Sequence, residues 1–124
     1  MEIDAGFLAA VLDHMPVGVI AVDDEGRVVA WNGHASDFIA CVERPSLYRG
    51  MTLDDAHPEN SRRGMSAMVD ALRSGRTFPA RQVVGRDGSR FQVSYHALSG
   101  ADDGFLGIAQ IIEPTPGASG GEEA

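Results

Sequence analysis

The chain has 124 residues, a formal net charge of −8 at pH 7 and a pI of about 4.7. This length fits one domain with a modest core, and the acidic balance disfavours nucleic-acid or anionic-membrane partners, which need a basic face. No apolar run of about 18 residues could span a membrane, and the single cysteine excludes an internal disulfide, so we expect a cytoplasmic protein.

Helical periodicity predicts a cap helix within residues 1–15, which Pro16 ends. Its apolar stripe consists of Phe7, Leu8, Val11, Leu12 and Met15. Two β-prone runs, residues 19–22 and 27–31, surround an Asp-Asp-Glu-Gly turn. This pattern predicts a β-hairpin.

Three helical segments are predicted next. Asn32 is a suitable N-cap for a short helix, and Thr52 marks a helical turn. Pro58 stands where the first position of a longer helix is expected, because a missing N–H is tolerated there. The apolar stripe of that helix is Met65, Met68, Val69 and Leu72.

The remaining residues have β character. "FPARQVV" and "RFQVSYHAL" flank an Asp-Gly turn, and "FLGIAQIIE" follows. The order predicts an α+β fold with one five-stranded antiparallel sheet, helices on one face and an N-terminal cap helix. We expect a core over residues 16–113, and a disordered tail or linker over the Pro-, Gly- and Glu-rich residues 114–124.

Four stretches in this order resemble a PAS domain over about residues 5–113. They are "MPVGVIAVDDEGRVVAWN", "HPENSRRGMSAMVDALRSGR", "GRDGSRFQVSYHAL" and "GFLGIAQIIEP". The resemblance implies a sensing or interaction domain, usually dimeric, coupled to an effector domain in the same chain or in a partner. It also implies a pocket between sheet and helices.

His57 is the candidate ligand residue. If the long helix starts at its proline, positions 57, 61, 65, 68 and 72 share one face, and the imidazole points at the sheet. An imidazole in an apolar pocket can bind iron, and Met65, Met68, Val69 and Leu72 would then accept a porphyrin face.

The stretch "HPENS" resembles the haem-binding PAS domains of carbon-monoxide-responsive transcription regulators, in which the equivalent histidine is a haem axial ligand. The resemblance implies that His57 binds haem to sense O₂, CO, NO or redox state. The haem would be b-type, because no Cys-x-x-Cys-His is present.

One departure concerns the second axial ligand, which those regulators take from a methionine in the later strands. No methionine follows Met68 here. The haem iron is then five-coordinate, or its second axial ligand is Met51, Met65, Met68 or His96. Strand alternation points His96 away from the pocket.

The alternative is an interaction module without haem, in which His57 caps or packs. Its pocket is filled by side chains, by flavin (FAD) or by another small apolar ligand. Trp31 and Asn32 could line a flavin pocket, although a tryptophan at this place more often packs and an asparagine more often caps a helix. "IACVER" does not resemble the reactive-cysteine stretch of light-oxygen-voltage photosensors, so Cys41 is interpreted as a small buried hydrophobe.

We predict no enzyme, because the paired acids at 23–24, 54–55 and 102–103 are typical of turns and no catalytic motif is present. The cap-helix stripe packs either on its own sheet or against a second copy, which would make a homodimer. Of the remaining histidines, His14 is expected to close the first helix and His34 to be exposed.

Overall fold

The computed structural model describes residues 4–115, so most of the predicted disordered tail lies outside the described residues. In chain order the elements are α1 (Ala5–Asp13), β1 (Gly18–Asp23), β2 (Val28–Trp31), α2 (Gly33–Cys41), α3 (Leu53–Ala56), a 3₁₀ turn (Glu59–Ser61), α4 (Arg62–Arg73), β3 (Arg81–Val84), β4 (Arg90–Ser99) and β5 (Phe105–Pro114). Helix α1 lies inside the predicted cap segment, and β5 runs one residue past the predicted core.

The strands form one antiparallel sheet in the order β2-β1-β5-β4-β3. The predicted α+β fold with a five-stranded antiparallel sheet is confirmed. Strand β5 comes last in the chain but lies between β1 and β4, so the sheet is complete only when that last strand is in place. Its Ile108 and Ile112 join the core between the sheet and helices α2 to α4.

The long helix begins later than predicted. Pro58 has an extended backbone with ψ 157°, and the 3₁₀ turn that follows it precedes the α-helix, which starts at Arg62. Ser61 donates its N–H to the Pro58 carbonyl at 2.9 Å, which closes that turn. The short α3 is confirmed, with Thr52 accepting from the Asp55 N–H at 3.0 Å.

The side chain of Asn32 joins three elements. It is 2% exposed, and its Oδ1 accepts from the N–H groups of Val19 at 3.0 Å and Ala35 at 3.1 Å. Its Nδ2 donates to the carbonyls of Leu12 at 2.7 Å and Val17 at 2.9 Å. One amide therefore caps α2, as predicted, and also ties the end of α1 to β1 with two acceptor and two donor bonds.

Helix α1 buries none of its residues. Phe7, Leu8 and Val11 are 49%, 53% and 45% exposed, so these three do not pack on the sheet of their own chain. The half-buried Leu12 faces β2 across a shallow groove that Ala9 and Val29 also line. Between residues 4 and 115, no helix has the length and apolar character needed to cross a membrane.

Asn32→Ala is expected to lower the free energy of unfolding by about 2 to 4 kcal/mol, because it removes a cap and leaves the buried Val19 N–H and two part-buried carbonyls without this partner. Asn32→Asp keeps the acceptor but sets a buried carboxylate against two carbonyl oxygens, so it should also be less stable than the wild type. Urea denaturation of the three proteins measures these losses. Equal stability of Asn32→Ala and the wild type would contradict the role of the amide.

Candidate functional site

A cavity of about 50 Å³ lies between the inner face of the sheet and the helices. Its walls are mostly apolar. They include Ile20 and Val93 from the sheet, Phe38 and Ile39 from α2, and Leu53 and Ala56 from α3. The cavity occupies the position where the sequence predicts a ligand pocket.

Five polar side chains also line the cavity: Arg44, His57, Arg81, Tyr95 and Gln110. No Asp or Glu is among the lining residues. Gln110 is buried in β5, whereas Arg81 is exposed on β3. The polar groups therefore run from the sheet interior to the surface at β3.

His57 is oriented by α3. It is the C-cap of α3 with φ −131° and ψ 148°, and its Nδ1 lies 2.8 Å from the Leu53 carbonyl. Because a carbonyl can only accept, Nδ1 carries the proton and Nε2 keeps its lone pair in the neutral ring. Burial lowers the pKa of His57 below its ordinary value of 6.5, and the charges of Arg44 and Arg81 act in the same direction.

The other residues predicted to hold a porphyrin do not line this cavity. Met65, Met68 and Leu72 are 2%, 0% and 4% exposed in the core, and Val69 packs against that core. Because the extended backbone at His57 precedes the start of α4, the helical spacing does not connect position 57 to the stripe. The prediction that one helical face runs from His57 through Met65, Met68 and Leu72 is therefore wrong.

The proposed sixth ligands are also apart from His57. Met51 is 0% exposed in the core and does not line the cavity. His96 is exposed, with Nε2 3.0 Å from the Ser94 hydroxyl, which confirms that it points away from the pocket. In the part of the chain from residue 4 to 115, no three His, Cys, Asp or Glu side chains converge to hold a metal ion.

The site meets one requirement for haem, a free imidazole nitrogen, but not the other, which is sufficient volume. An imidazole whose Nδ1–H is held by a carbonyl presents Nε2 to a metal in the usual way. Pockets for ligands of drug size have volumes of roughly 300–1,000 Å³, and the 50 Å³ here is far below that range. Neither a tetrapyrrole nor a flavin fits the cavity as it stands, and the Asn32 amide makes its hydrogen bonds within the fold and does not line the cavity.

Arg44 reaches the cavity because of the way α2 ends. The Arg44 N–H donates to the Ile39 carbonyl at 3.0 Å, and the Glu43 N–H to the Ala40 carbonyl at 3.2 Å. Glu43 adopts φ 58°, so the pair of bonds forms a Schellman motif with a non-glycine residue in the left-handed position. This turn reverses the chain and directs Arg44 back over the sheet.

Nη1 of Arg44 is buried and makes no hydrogen bond within residues 4–115. Burial lowers the pKa of Arg44, and the nearby positive charge of Arg81 lowers it further. Burial also raises the pKa of Tyr95, whereas the positive charge of Arg81 lowers it. Two guanidinium groups thus converge on one cavity without an acidic partner lining it.

Sequence reasoning missed Arg44, Arg81, Tyr95 and Gln110. Gln110 had a signal, since it is the one polar residue within the apolar run "FLGIAQII" and pairs with inward-facing Ile20. The two arginines had none. Their direction depends on the turn after α2 and on the register of β3 against β4.

Cys41 differs from its predicted role as a buried hydrophobe. It is half-buried, and its thiol lies 3.4 Å from Oδ1 of Asp87 in the β3–β4 turn. Partial burial and this carboxylate raise the pKa of the thiol. The contact docks the turn on the end of α2, together with the Arg86 N–H bond to the Cys41 carbonyl at 3.0 Å.

A sequence profile described as the PAS fold matches residues 12–115. The chain belongs to this family. PAS domains are sensory modules, so the chain is a sensor or signalling domain. No curated protein matches the chain.

Solved structures agree with this PAS assignment. The PAS domain of Bordetella pertussis BvgS has a TM-score of 0.68 at 19% identity, covering 89% of this chain and 85% of that one. The Vibrio cholerae Aer2 receptor, described as a dual PAS-haem oxygen sensor, has 0.60 at 13%, covering 81% and 95%. A Rhodobacter sphaeroides LOV protein has 0.62 at 16%, covering 93% and 69%. At such identities the likeness shows a shared fold alone.

The depressed pKa of His57 makes stability depend on pH. As pH falls through 6.5, the unfolded chain takes up a proton at this position before the folded one does, so stability is lost. From about pH 7.5 to about 5.5, the urea midpoint of the wild type should fall more than that of His57→Gln. His96→Gln, at an exposed position, is the control and should keep the wild-type slope. Identical slopes for all three proteins would contradict the buried neutral imidazole.

Proposed function

We propose that this PAS domain senses a small molecule that binds in the His57 cavity, and that a homodimer passes the signal to an effector domain. The observation that carries the proposal is the cavity itself, which combines apolar walls with five convergent polar groups. Such a combination is the usual character of a ligand site. The predicted cytoplasmic location remains a prediction.

The free-energy cost of burying an unpaired donor of Arg44 supports a ligand-binding role. A buried donor without a partner costs about 1–3 kcal/mol, and a charged one costs more. Arg44 has such a donor at Nη1. A cavity kept only for packing would be more stable with an apolar residue at this position, so binding is the better explanation.

A route from the cavity to α1 follows from the contacts. Phe38 and Ile39 of α2 line the cavity, and the N-terminus of α2 is capped by Asn32. The same amide donates to the Leu12 carbonyl at the end of α1. A ligand that shifts α2 therefore acts on the hydrogen bonds that hold α1.

The surface of α1 suits a second copy of the chain. Phe7, Leu8 and Val11 are about half exposed on a helix that buries none of its residues. Covering such side chains stabilises an interface by roughly 25 cal/mol per Å² of apolar area. We therefore place the dimer contact on α1.

Haem b, bound through His57 for O₂, CO or NO sensing, is the second candidate. The free Nε2 of His57 favours it, and so does the fold shared with a PAS-haem oxygen sensor. The small cavity and the core positions of Met65, Met68 and Leu72 oppose it. The resemblance of "HPENS" to the haem-binding PAS domains of carbon-monoxide-responsive transcription regulators also depends on His57.

The ligand proposal is tested by thermal unfolding with a panel of small acids, amides, amines and haemin. At least one small compound should raise the melting temperature, and Ala56→Leu, which fills the cavity, should abolish the shift. Haemin should give no intense absorption band that depends on His57. If a haem band forms and is lost in His57→Ala, the haem candidate replaces the ligand proposal. If no compound produces a shift, the cavity is not a ligand site.

The dimer proposal is tested by sedimentation at micromolar concentration. The wild type should be dimeric, and the double variant Phe7→Asp/Leu8→Asp should be monomeric with an unchanged circular dichroism spectrum. Val84→Asp is the control, because Val84 is 57% exposed on β3 and lies outside α1. A monomeric wild type, or a dimer that the double variant leaves intact, would contradict the proposal.

A further inference from the structure

The charge of the cavity is opposite to the charge of the chain. The protein has 18 acidic residues against ten basic ones, yet Arg44 and Arg81 line the cavity and no acid does. The one acidic group that acts on His57 is Asp54, which is exposed and does not line the cavity. The cavity is therefore a local positive site inside an acidic protein.

Arg44 and Arg81 have no carboxylate partner in the described part of the chain. Between residues 4 and 115 the one ion pair is Arg86 with Glu43, and both of its members are exposed. Nη1 of Arg44 is out of contact with water and has no acceptor. Each guanidinium also carries a planar fork of donors that matches a carboxylate.

The positions of the three groups support an anion site. Arg44, His57 and Arg81 line the same cavity, and the charge of Arg81 lowers the pKa of Arg44. Two cations that line one cavity repel each other when no anion lies between them. An anion placed between them turns that repulsion into two charge-assisted hydrogen-bonded pairs.

The rest of the cavity selects among anions. Ile20, Phe38, Leu53 and Val93 offer apolar walls, which favour a ligand with a hydrocarbon body over inorganic phosphate. The volume of about 50 Å³ restricts that body to a short chain. The buried Gln110 side chain, which also lines the cavity, offers one further polar contact.

We propose that the ligand of this domain is a small organic carboxylate, with its carboxylate between Arg44 and Arg81 and its hydrocarbon body against the apolar walls. This inference rests on the proposed function, because it names the ligand class of the same cavity. The His57 ring, held by the Leu53 carbonyl, lines the same cavity.

The experiment compares sodium butyrate with butyramide, which has the same size and no charge, by calorimetric titration at constant ionic strength. Butyrate should bind at least about tenfold more tightly than butyramide. Across the series from acetate to hexanoate, affinity should pass through a maximum at the chain length that fills the cavity. Inorganic phosphate should bind more weakly than butyrate.

Arg44→Gln and Arg81→Gln should each weaken butyrate binding by about tenfold or more. Arg63→Gln, on the exposed surface of α4, is the matched control and should bind as the wild type does. Without ligand, Arg44→Gln should be at least as stable as the wild type, because it removes an unpaired buried charge. A loss of binding without a loss of stability separates ligand contact from a structural role.

Four results would overturn the carboxylate assignment. Equal binding of butyrate and butyramide, or undiminished binding by Arg44→Gln and Arg81→Gln, would show that the arginines do not select the ligand. Binding of neutral or cationic compounds but of no carboxylate would overturn it and leave the proposed function standing. Absence of binding by every compound class would overturn both.

Discussion

The buried amide of Asn32 is the constraint on which the rest of the structure depends. Its four hydrogen bonds hold the end of α1, the start of β1 and the first turn of α2 in one arrangement. Because buried backbone groups need partners, removing this side chain would leave several of them unsatisfied at once. The position of α2 in turn determines where Phe38, Ile39 and Arg44 stand over the sheet, so the geometry of the cavity follows from the same amide.

The cavity shows how an acidic domain keeps a positive interior site. The Schellman turn at Glu43 directs one arginine inward, and the register of β3 on β4 brings another to the same space. Neither has an acid beside it in the cavity lining, and the unpaired donor lowers the stability of the ligand-free fold. We propose that an anion stabilises this site, and that its binding acts on the position of α2 and, through Asn32, on the exposed helix α1.

The haem hypothesis depends on one backbone detail. Helical spacing connects His57 with Met65, Met68 and Leu72 only if the helix runs unbroken from the proline. The proline ψ is 157°, and a separate 3₁₀ turn follows before α4 begins. The imidazole still faces the interior, but α3 holds it there through the Leu53 carbonyl. The methionines instead fill the core, and the space left beside His57 is small.

The sequence by itself determined the order of helices and strands, the cap at Asn32 and the outward direction of His96. These depend on hydrophobic period and on capping chemistry between residues close in the chain, which a linear pattern records. The PAS fold was implied by the resemblance of four stretches to that family. Only the tertiary structure decided which arginines line the cavity, how large the cavity is and that α1 leaves Phe7, Leu8 and Val11 exposed. A cavity is the volume left between side chains distant in sequence. Its size therefore depends on the packing of all of them together and not on any one stretch.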